Sequence, residues 1–157
     1  MKIRKWLLLA VASMQMTGAM ADNVREKILI DEGWKFAFGN AADPAKDFGC
    51  GTEYFNYLTK ANSIHNAGPY AQKFNDSTWV SVTIPHDWVT NLSYARNASH
   101  SHGYKTVGYK FPETSVGWYR KTISIPKEDL GKHIAIQFDG IFRNAQVWFN
   151  GFYMGTE

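Results

Sequence analysis

Short runs of alternating side chains, each closed by a proline or a turn residue, limit most strongly what this chain can fold into. The run from Trp34 to Phe38 has an aromatic residue at every second position, and the run from Trp79 to Ile84 has a branched apolar residue at every second position. Successive side chains of a strand point to opposite faces of its sheet, so this period of two predicts half-buried strands. Pro85 ends the second run, because proline has no amide hydrogen to donate to a β-ladder.

Two further runs extend the pattern. One ends at Pro126, and the other runs from His133 to Phe138 after a polar connection that turns at Gly131. No stretch longer than ten residues has a convincing helical period, so the sequence predicts an all-β chain, and short strands at irregular spacing favour a β-sandwich. Each of the four runs has residues that we expect to face the interior of the domain: Trp34, Phe36, Phe38, Val80, Val82, Ile84, Tyr119, Ile123, Ile125, Ile134, Ile136 and Phe138.

A hairpin is predicted near the carboxyl end. The segments 145–149 and 152–154 flank the dipeptide Asn150-Gly151, and both positions of a two-residue type I′ turn require a positive φ, which Asn and Gly accept. The last residue of the first segment, Phe149, is expected in the core. Two long connections, 40–78 and 89–115, interrupt the strands, and connections of this length in a compact domain tend to be either functional or disordered. Their aromatic and histidine content argues against disorder, so we expect them to be partly ordered.

The amino terminus has the pattern of a secretory signal peptide over residues 1–21. Lys2, Arg4 and Lys5 precede a short apolar run, and a small-residue site ending at Ala21 places cleavage before Asp22. We therefore expect export to the periplasm or the extracellular space, and no membrane contact after cleavage, because the apolar run is too short to span a bilayer. Residues 22–157 have the size of one domain.

The charge of the chain argues against nucleic acid as a partner. The chain has 17 basic and 14 acidic residues, and three of the basic ones belong to the signal, so the remainder is nearly neutral. Such a chain lacks the basic surplus that binds nucleic acid.

Cys50 is the single cysteine and is expected to be an inert thiol. His100 and His102 without a third ligand do not predict a metal site, and the need for a cofactor is left open.

Four blocks in one order carry a resemblance to a known family. They are Ile84-Pro85-His86-Asp87-Trp88, Gly117-Trp118-Tyr119-Arg120-Lys121, Phe138-Asp139-Gly140, and Arg143-Asn144-Ala145-Gln146-Val147-Trp148-Phe149-Asn150-Gly151. Together they resemble the amino-terminal sugar-binding domain of family 2 glycoside hydrolases, and most of all that of bacterial β-galactosidases. The resemblance covers residues 30–157.

The resemblance implies a jelly-roll β-sandwich that is followed, in the whole enzyme, by an immunoglobulin-like domain and a catalytic barrel. Such enzymes are retaining hydrolases with two glutamates in the barrel. We therefore expect residues 22–157 to be an incomplete sandwich without those domains, inactive alone, with the downstream barrel and a carbohydrate substrate as its partners. No catalytic residue is assigned, and Asp87, Asp139 and Glu157 are expected to be structural.

The resemblance also indicates two substrate-binding candidates. Asn150 matches the asparagine of the Trp-x-Asn-Gly turn, which in related β-galactosidases reaches the barrel mouth, and an amide can donate to one sugar hydroxyl and accept from another. The same asparagine also suits the turn on conformational grounds alone. His102 is the second candidate, because its loop is expected to face the active-site entrance, although a surface role is the plainer reading.

Three functions remain open at this stage. The leading one is the non-catalytic front domain of an exported β-galactosidase-like hydrolase that removes terminal β-linked sugars from oligosaccharides. A free-standing carbohydrate-binding module is the alternative, and a structural interaction domain without sugar contact is the third. The sugar and the linkage are not fixed by these observations.

Overall fold

The computed structural model describes residues 25–50, 68–142 and 144–156. The predicted signal peptide, the middle of the first long connection and Glu157 lie outside these residues. The strands are β1 (Trp34–Phe38), β2 (Val80–Val82), β3 (Gly117–Arg120), β4 (Gln146–Phe149) and β5 (Phe152–Thr156), and short 3-10 helices span Trp88–Asn91, His100–His102, Pro112–Thr114 and Lys127–Asp129. The all-β prediction is confirmed. No helix in the described ranges has the length and apolarity needed to cross a membrane.

The strands form two antiparallel sheets. One has the order β2-β1-β3 and the other is the β4-β5 hairpin. In the first sheet Phe36 of β1 lies opposite Val80 on one side and Tyr119 on the other. The predicted run at Trp34 is therefore the central strand, which pairs with the run at Val80 on one side and with the block that begins at Gly117 on the other.

Aromatic rings cover the Phe36 face of this sheet. The Phe36 ring packs against Phe38, His86, Trp88 and Tyr119 with centroid separations of 4.9 to 5.7 Å. The Tyr119 hydroxyl lies 2.8 Å from His86 Nδ1 and donates to the His86 carbonyl over 3.1 Å. Burial, with a smaller contribution from the Asp87 carboxylate, raises the pKa of Tyr119 to about 12, so its hydroxyl stays protonated and can donate.

The opposite face holds a second buried cluster. Trp118 is 7% exposed and, as the neighbour of Tyr119, points away from Phe36. Trp79, which directly precedes β2, is buried on this side as well. The Phe48 ring lies between them, with centroids 6.4 Å from Trp118 and 5.2 Å from Trp79. Trp118 also contacts Trp148 of β4 at 5.7 Å, which joins the two sheets.

The prediction of the interior face was therefore wrong in part. Phe38 and Val80 are exposed, and Phe149 is 50% exposed. The alternating residues do lie in strands. However, Trp79 and Trp118, whose side chains point to the face opposite Phe36, are also buried, under the segments that fold over the sheet. A period of two shows that a strand has two different faces and does not show which face the connections will cover.

The predicted strand His133–Phe138 is wrong. Residues 131–140 are all exposed, and the strand assignment is absent from 133–138. Ile134, Ile136 and Phe138 thus lie outside the core. Alternation expresses a local preference, whereas a strand also needs a neighbour for its backbone groups, and the described residues supply none here. The third run is shorter than expected for the same reason, because β3 ends at Arg120 near the point where its partner β1 begins, and Ile125 is exposed.

The hairpin prediction is confirmed. Gln146 pairs with Thr156 and Phe149 with Phe152, with a register shift after Val147. At the turn φ is 52° for Asn150 and 87° for Gly151. Both values are those that a type I′ turn needs.

Gly117 offers a direct test of this packing. A Cβ atom at this position would lie 2.8 Å from Phe36 Cε2 and 2.8 Å from Trp88 Cζ3, and overpacking of a tight core costs about 1–3 kcal/mol. We expect Gly117→Ala to lower the free energy of unfolding by that amount in urea titrations. Gly140→Ala is the matched control, because a Cβ there has no neighbour within 4 Å. Equal stability of the two variants would contradict the described contact between Gly117, Phe36 and Trp88.

Candidate functional site

The second long connection, 89–115, is ordered by backbone and side-chain contacts. Asp87 caps the 3-10 helix Trp88–Asn91, because its carboxylate accepts from Val89 N over 2.9 Å. The Lys105 ammonium donates to the carbonyls of Thr90 and Leu92 at 2.9 and 2.7 Å. The expectations that Asp87 is structural and that this connection is partly ordered are both confirmed.

A pocket of about 330 Å³ lies where this connection folds back on itself. Its lining consists of Ser99, Ser101, His102, Val107, Gly108, Tyr109, Lys110 and Phe111. The first three belong to the 3-10 helix His100–His102 and its cap, and the other five form the turn that faces it. No carboxylate is present in this lining. Tyr109 is 86% exposed at the edge of the pocket.

The turn opposite His102 depends on Gly108. Its φ of 100° is in the left-handed region, and a Cβ there would contact the imidazole of His102, 3.4 Å from Cε1. Ser115 closes the base of the turn, because its Oγ accepts from Gly108 N over 2.7 Å and lies 2.6 Å from the Phe111 carbonyl. Glycine is therefore favoured here by the backbone conformation, while a Cβ would make an ordinary contact with the His102 ring.

The base of this turn is attached to the buried core. The Ala41 amide donates to the Pro112 carbonyl over 2.8 Å, and the Gly39 amide donates to the Val116 carbonyl over 2.9 Å. Between these two residues, the backbone N–H of Asn40 donates to the carboxylate of Asp47 over 3.2 Å. The pocket thus rests on a segment whose position is set by a buried acidic side chain.

The two predicted substrate-binding residues lie on different elements. His102 lines the pocket, whereas Asn150 lies at the β4-β5 turn with its side chain exposed. No hydrogen bond, ion pair or ring contact of the described chain joins them. The Asn150 amide makes no hydrogen bond within the described ranges, so it is available to a ligand or to another domain.

Three pocket residues, Ser99, Tyr109 and Lys110, were missed by sequence reasoning. Their signal was a concentration of hydroxyl, aromatic and basic side chains between residues 97 and 110. That signal could not place them together, because their proximity depends on the reversal of the chain at Gly108.

The remaining candidates have structural or no assigned roles. Burial, with a smaller contribution from the Asp47 carboxylate, raises the pKa of the Cys50 thiol to about 12. Asp139 is exposed and accepts a hydrogen bond from Gln137 over 3.0 Å. Within the described residues, no group of three or more His, Cys, Asp or Glu side chains could hold a metal ion. The need for a cofactor stays open.

Comparisons with known proteins relate the chain to glycosidases. No known family model matches it. Over 84 residues it is 39% identical to the β-galactosidase BoGH2A of Bacteroides ovatus, and the matched region is 53% of this chain and 9% of that protein. Over 82 residues it is 32% identical to a β-glucuronidase of Formosa agariphila, and the matched region is 52% of this chain and 8% of that protein.

A solved structure shares the fold. The crystal structure of a β-glycosidase from Bacteroides vulgatus matches this chain with a TM-score of 0.58 and 27% identity, over 84% of this chain and 14% of that one. The chain spans less than a sixth of the length of each of these proteins. The similarity is therefore confined to a small part of each relative.

The raised pKa of Cys50 predicts low reactivity. At pH 8 a thiol with a pKa of about 12 is almost entirely protonated, and only the thiolate attacks disulfide reagents. We expect Ellman's reagent to label the folded chain up to about a thousandfold more slowly than the urea-unfolded chain, because unfolding removes the burial and restores the ordinary pKa of 9.0. Equal rates before and after unfolding would contradict the described environment of Cys50.

Proposed function

We propose, from the premise that this chain fits the amino-terminal domain of a family 2 glycoside hydrolase, that it serves as the non-catalytic front domain of an exported retaining enzyme. The whole protein would hydrolyse terminal β-linked sugars from oligosaccharides, as β-galactosidases do. The observation that carries this proposal is the similarity to a β-galactosidase and a β-glucuronidase over a small part of each. Downstream residues would supply the barrel and its chemistry.

The described residues support a non-catalytic role. Retaining hydrolysis needs two carboxyl groups about 5 Å apart at the scissile bond. The pocket of the 89–115 connection has no acidic residue in its lining. Asp47 is fully buried and accepts from the Trp118 indole over 2.7 Å, so its carboxylate serves the core.

The hairpin turn is the element that we propose for contact with the barrel. Asn150 is the first residue of the two-residue turn, its side chain is exposed, and its amide can donate and accept at once. β4 is held to the first sheet by the ring contact between Trp148 and Trp118. The hairpin that carries the amide is thereby attached to the first sheet.

A free-standing carbohydrate-binding module is the second candidate. The observation in its favour is that Tyr94, Tyr104 and Tyr109 are exposed on one connection. Tyrosine rings on a protein surface suit the flat apolar faces of sugars, and the hydroxyl can bond to the sugar. A reading frame that ends at codon 157 would favour this function over the enzyme.

The enzymatic proposal is tested by expressing the 157-residue chain beside the product of the complete reading frame. Both are assayed with p-nitrophenyl β-galactoside and p-nitrophenyl β-glucuronide. We expect hydrolysis from the longer product alone, because the acid and the nucleophile lie downstream. Release of p-nitrophenol by the purified 157-residue chain would overturn the non-catalytic assignment.

Asn150 can be tested in the longer protein with a substitution that preserves the turn. Asn150→Gly keeps a residue that accepts positive φ and removes the amide, so stability should be unchanged. Loss of one neutral hydrogen bond to the sugar should lower kcat/KM by up to about tenfold. Asn150→Asp is the companion variant, since it keeps an acceptor without the donor. Unchanged kcat/KM in both variants would show that Asn150 serves the turn only.

A further inference from the structure

The pocket lined by Ser99, Ser101, His102 and residues 107–111 presents hydrogen-bond donors and positive charge, and no acidic residue lines it. We propose that it binds an acidic sugar, a uronate unit whose carboxylate lies against Lys110. The proposal deepens the function given above and rests on it only in taking the ligand to be a carbohydrate. It assigns a binding role to the sandwich domain itself, apart from the barrel.

Lys110 provides the charge. Its ammonium has three N–H donors, and one of them is used by the Asn97 carbonyl at 3.0 Å. That bond leaves two N–H donors available to a ligand. A hydrogen bond between an ammonium and a carboxylate is about twice as strong as one between neutral groups, so the pocket discriminates in favour of an anion.

The serine pair provides a second donor. The hydroxyls of Ser99 and Ser101 lie 2.7 Å apart, and the Ser101 amide donates to Ser99 Oγ over 3.2 Å. Two hydroxyl groups have two hydrogens, and their mutual bond uses one. The other can donate to a ligand oxygen. His102 adds an imidazole N–H in either neutral tautomer, and its ring is held against Gly108.

Size and shape favour a single sugar unit over a larger ligand. A volume of about 330 Å³ lies at the lower end of the range for small-molecule sites, which is roughly 300–1,000 Å³. The exposed ring of Tyr109 offers a flat apolar surface at the edge of the pocket for one face of the sugar. The Lys110 ammonium lies 5.7 Å from the centroid of this ring. A pyranose stacked on Tyr109 would therefore have a carboxylate substituent within reach of Lys110.

The proposal is tested by isothermal titration calorimetry of the 157-residue chain with methyl β-glucuronide and methyl β-glucoside. The two ligands differ at C6, where one has a carboxylate and the other a hydroxymethyl group. We expect the glucuronide to bind about tenfold more tightly, which corresponds to about 1.4 kcal/mol. Its affinity should fall as salt is raised, because ions screen an exposed charge pair. Sodium acetate, which has the carboxylate without the sugar, should bind more weakly than the glucuronide.

Variants separate the pocket from the rest of the surface. Lys110→Met removes the charge and keeps the length of the side chain, and it should abolish the preference for the glucuronide. Lys127→Met is the matched control, since Lys127 is exposed and lies outside the pocket lining, and it should leave the preference intact. Far-ultraviolet circular dichroism and the urea midpoint verify that both variants fold like the parent chain.

Each other outcome overturns the proposal. Equal affinity for the two glycosides would exclude recognition of the acid and leave the carbohydrate function standing. Binding of acetate as tight as that of the glucuronide would reduce the pocket to an anion site. Absence of heat with both sugars would exclude a uronate site in this domain, while the assay of the longer protein would still decide whether it is a glycosidase. A preference retained by Lys110→Met would place the ligand elsewhere.

Discussion

The hydrogen bond between the Trp118 indole and the buried carboxylate of Asp47, 2.7 Å long, is the contact on which the rest of the structure depends. A buried carboxylate is costly unless donors satisfy it. The Trp118 indole and the Asn40 amide both donate to Asp47 Oδ1. This acidic side chain therefore fixes the position of the 39–41 segment relative to β3. Gly39 is required at the contact, because a Cβ there would lie 2.0 Å from Asp47 Oδ1.

Both candidate contact points extend from this core. On one side, Gly39 and Ala41 donate to the carbonyls of Val116 and Pro112 and so hold the base of the pocket turn. On the other side, the Trp118 ring meets Trp148, which lies two residues before Asn150 in the hairpin. A ligand in the pocket and a partner at the hairpin turn would thus act on elements that share one buried tryptophan. The sandwich supplies a fixed frame for both.

Local chemistry predicted some elements well and others poorly. The hairpin follows from Asn150-Gly151, because few residues accept positive φ, and β1 follows from alternating aromatic residues. The interior face could not be predicted, because Trp118 and Tyr119 are adjacent large residues that cover opposite faces of β3. The run 133–138 has the pattern of a strand but no described neighbour. For the site, His102 was predicted, whereas Lys110 and Ser99 come to line the same pocket only because the chain reverses at Gly108.

The most direct test of the central contact compares two tryptophan-to-phenylalanine variants by urea unfolding. Trp118→Phe keeps an aromatic ring and removes the donor to Asp47, whereas Trp79→Phe makes the same reduction in size at a core indole that has no hydrogen bond to another described residue. Trp118→Phe takes away one of the two donors to Asp47 Oδ1, and loss of a hydrogen bond to a charged group costs about 1.5–3 kcal/mol beyond the loss of ring volume. Trp118→Phe should therefore be less stable than Trp79→Phe by that amount. Equal losses in the two variants would contradict the claim that the Trp118–Asp47 contact holds the fold together.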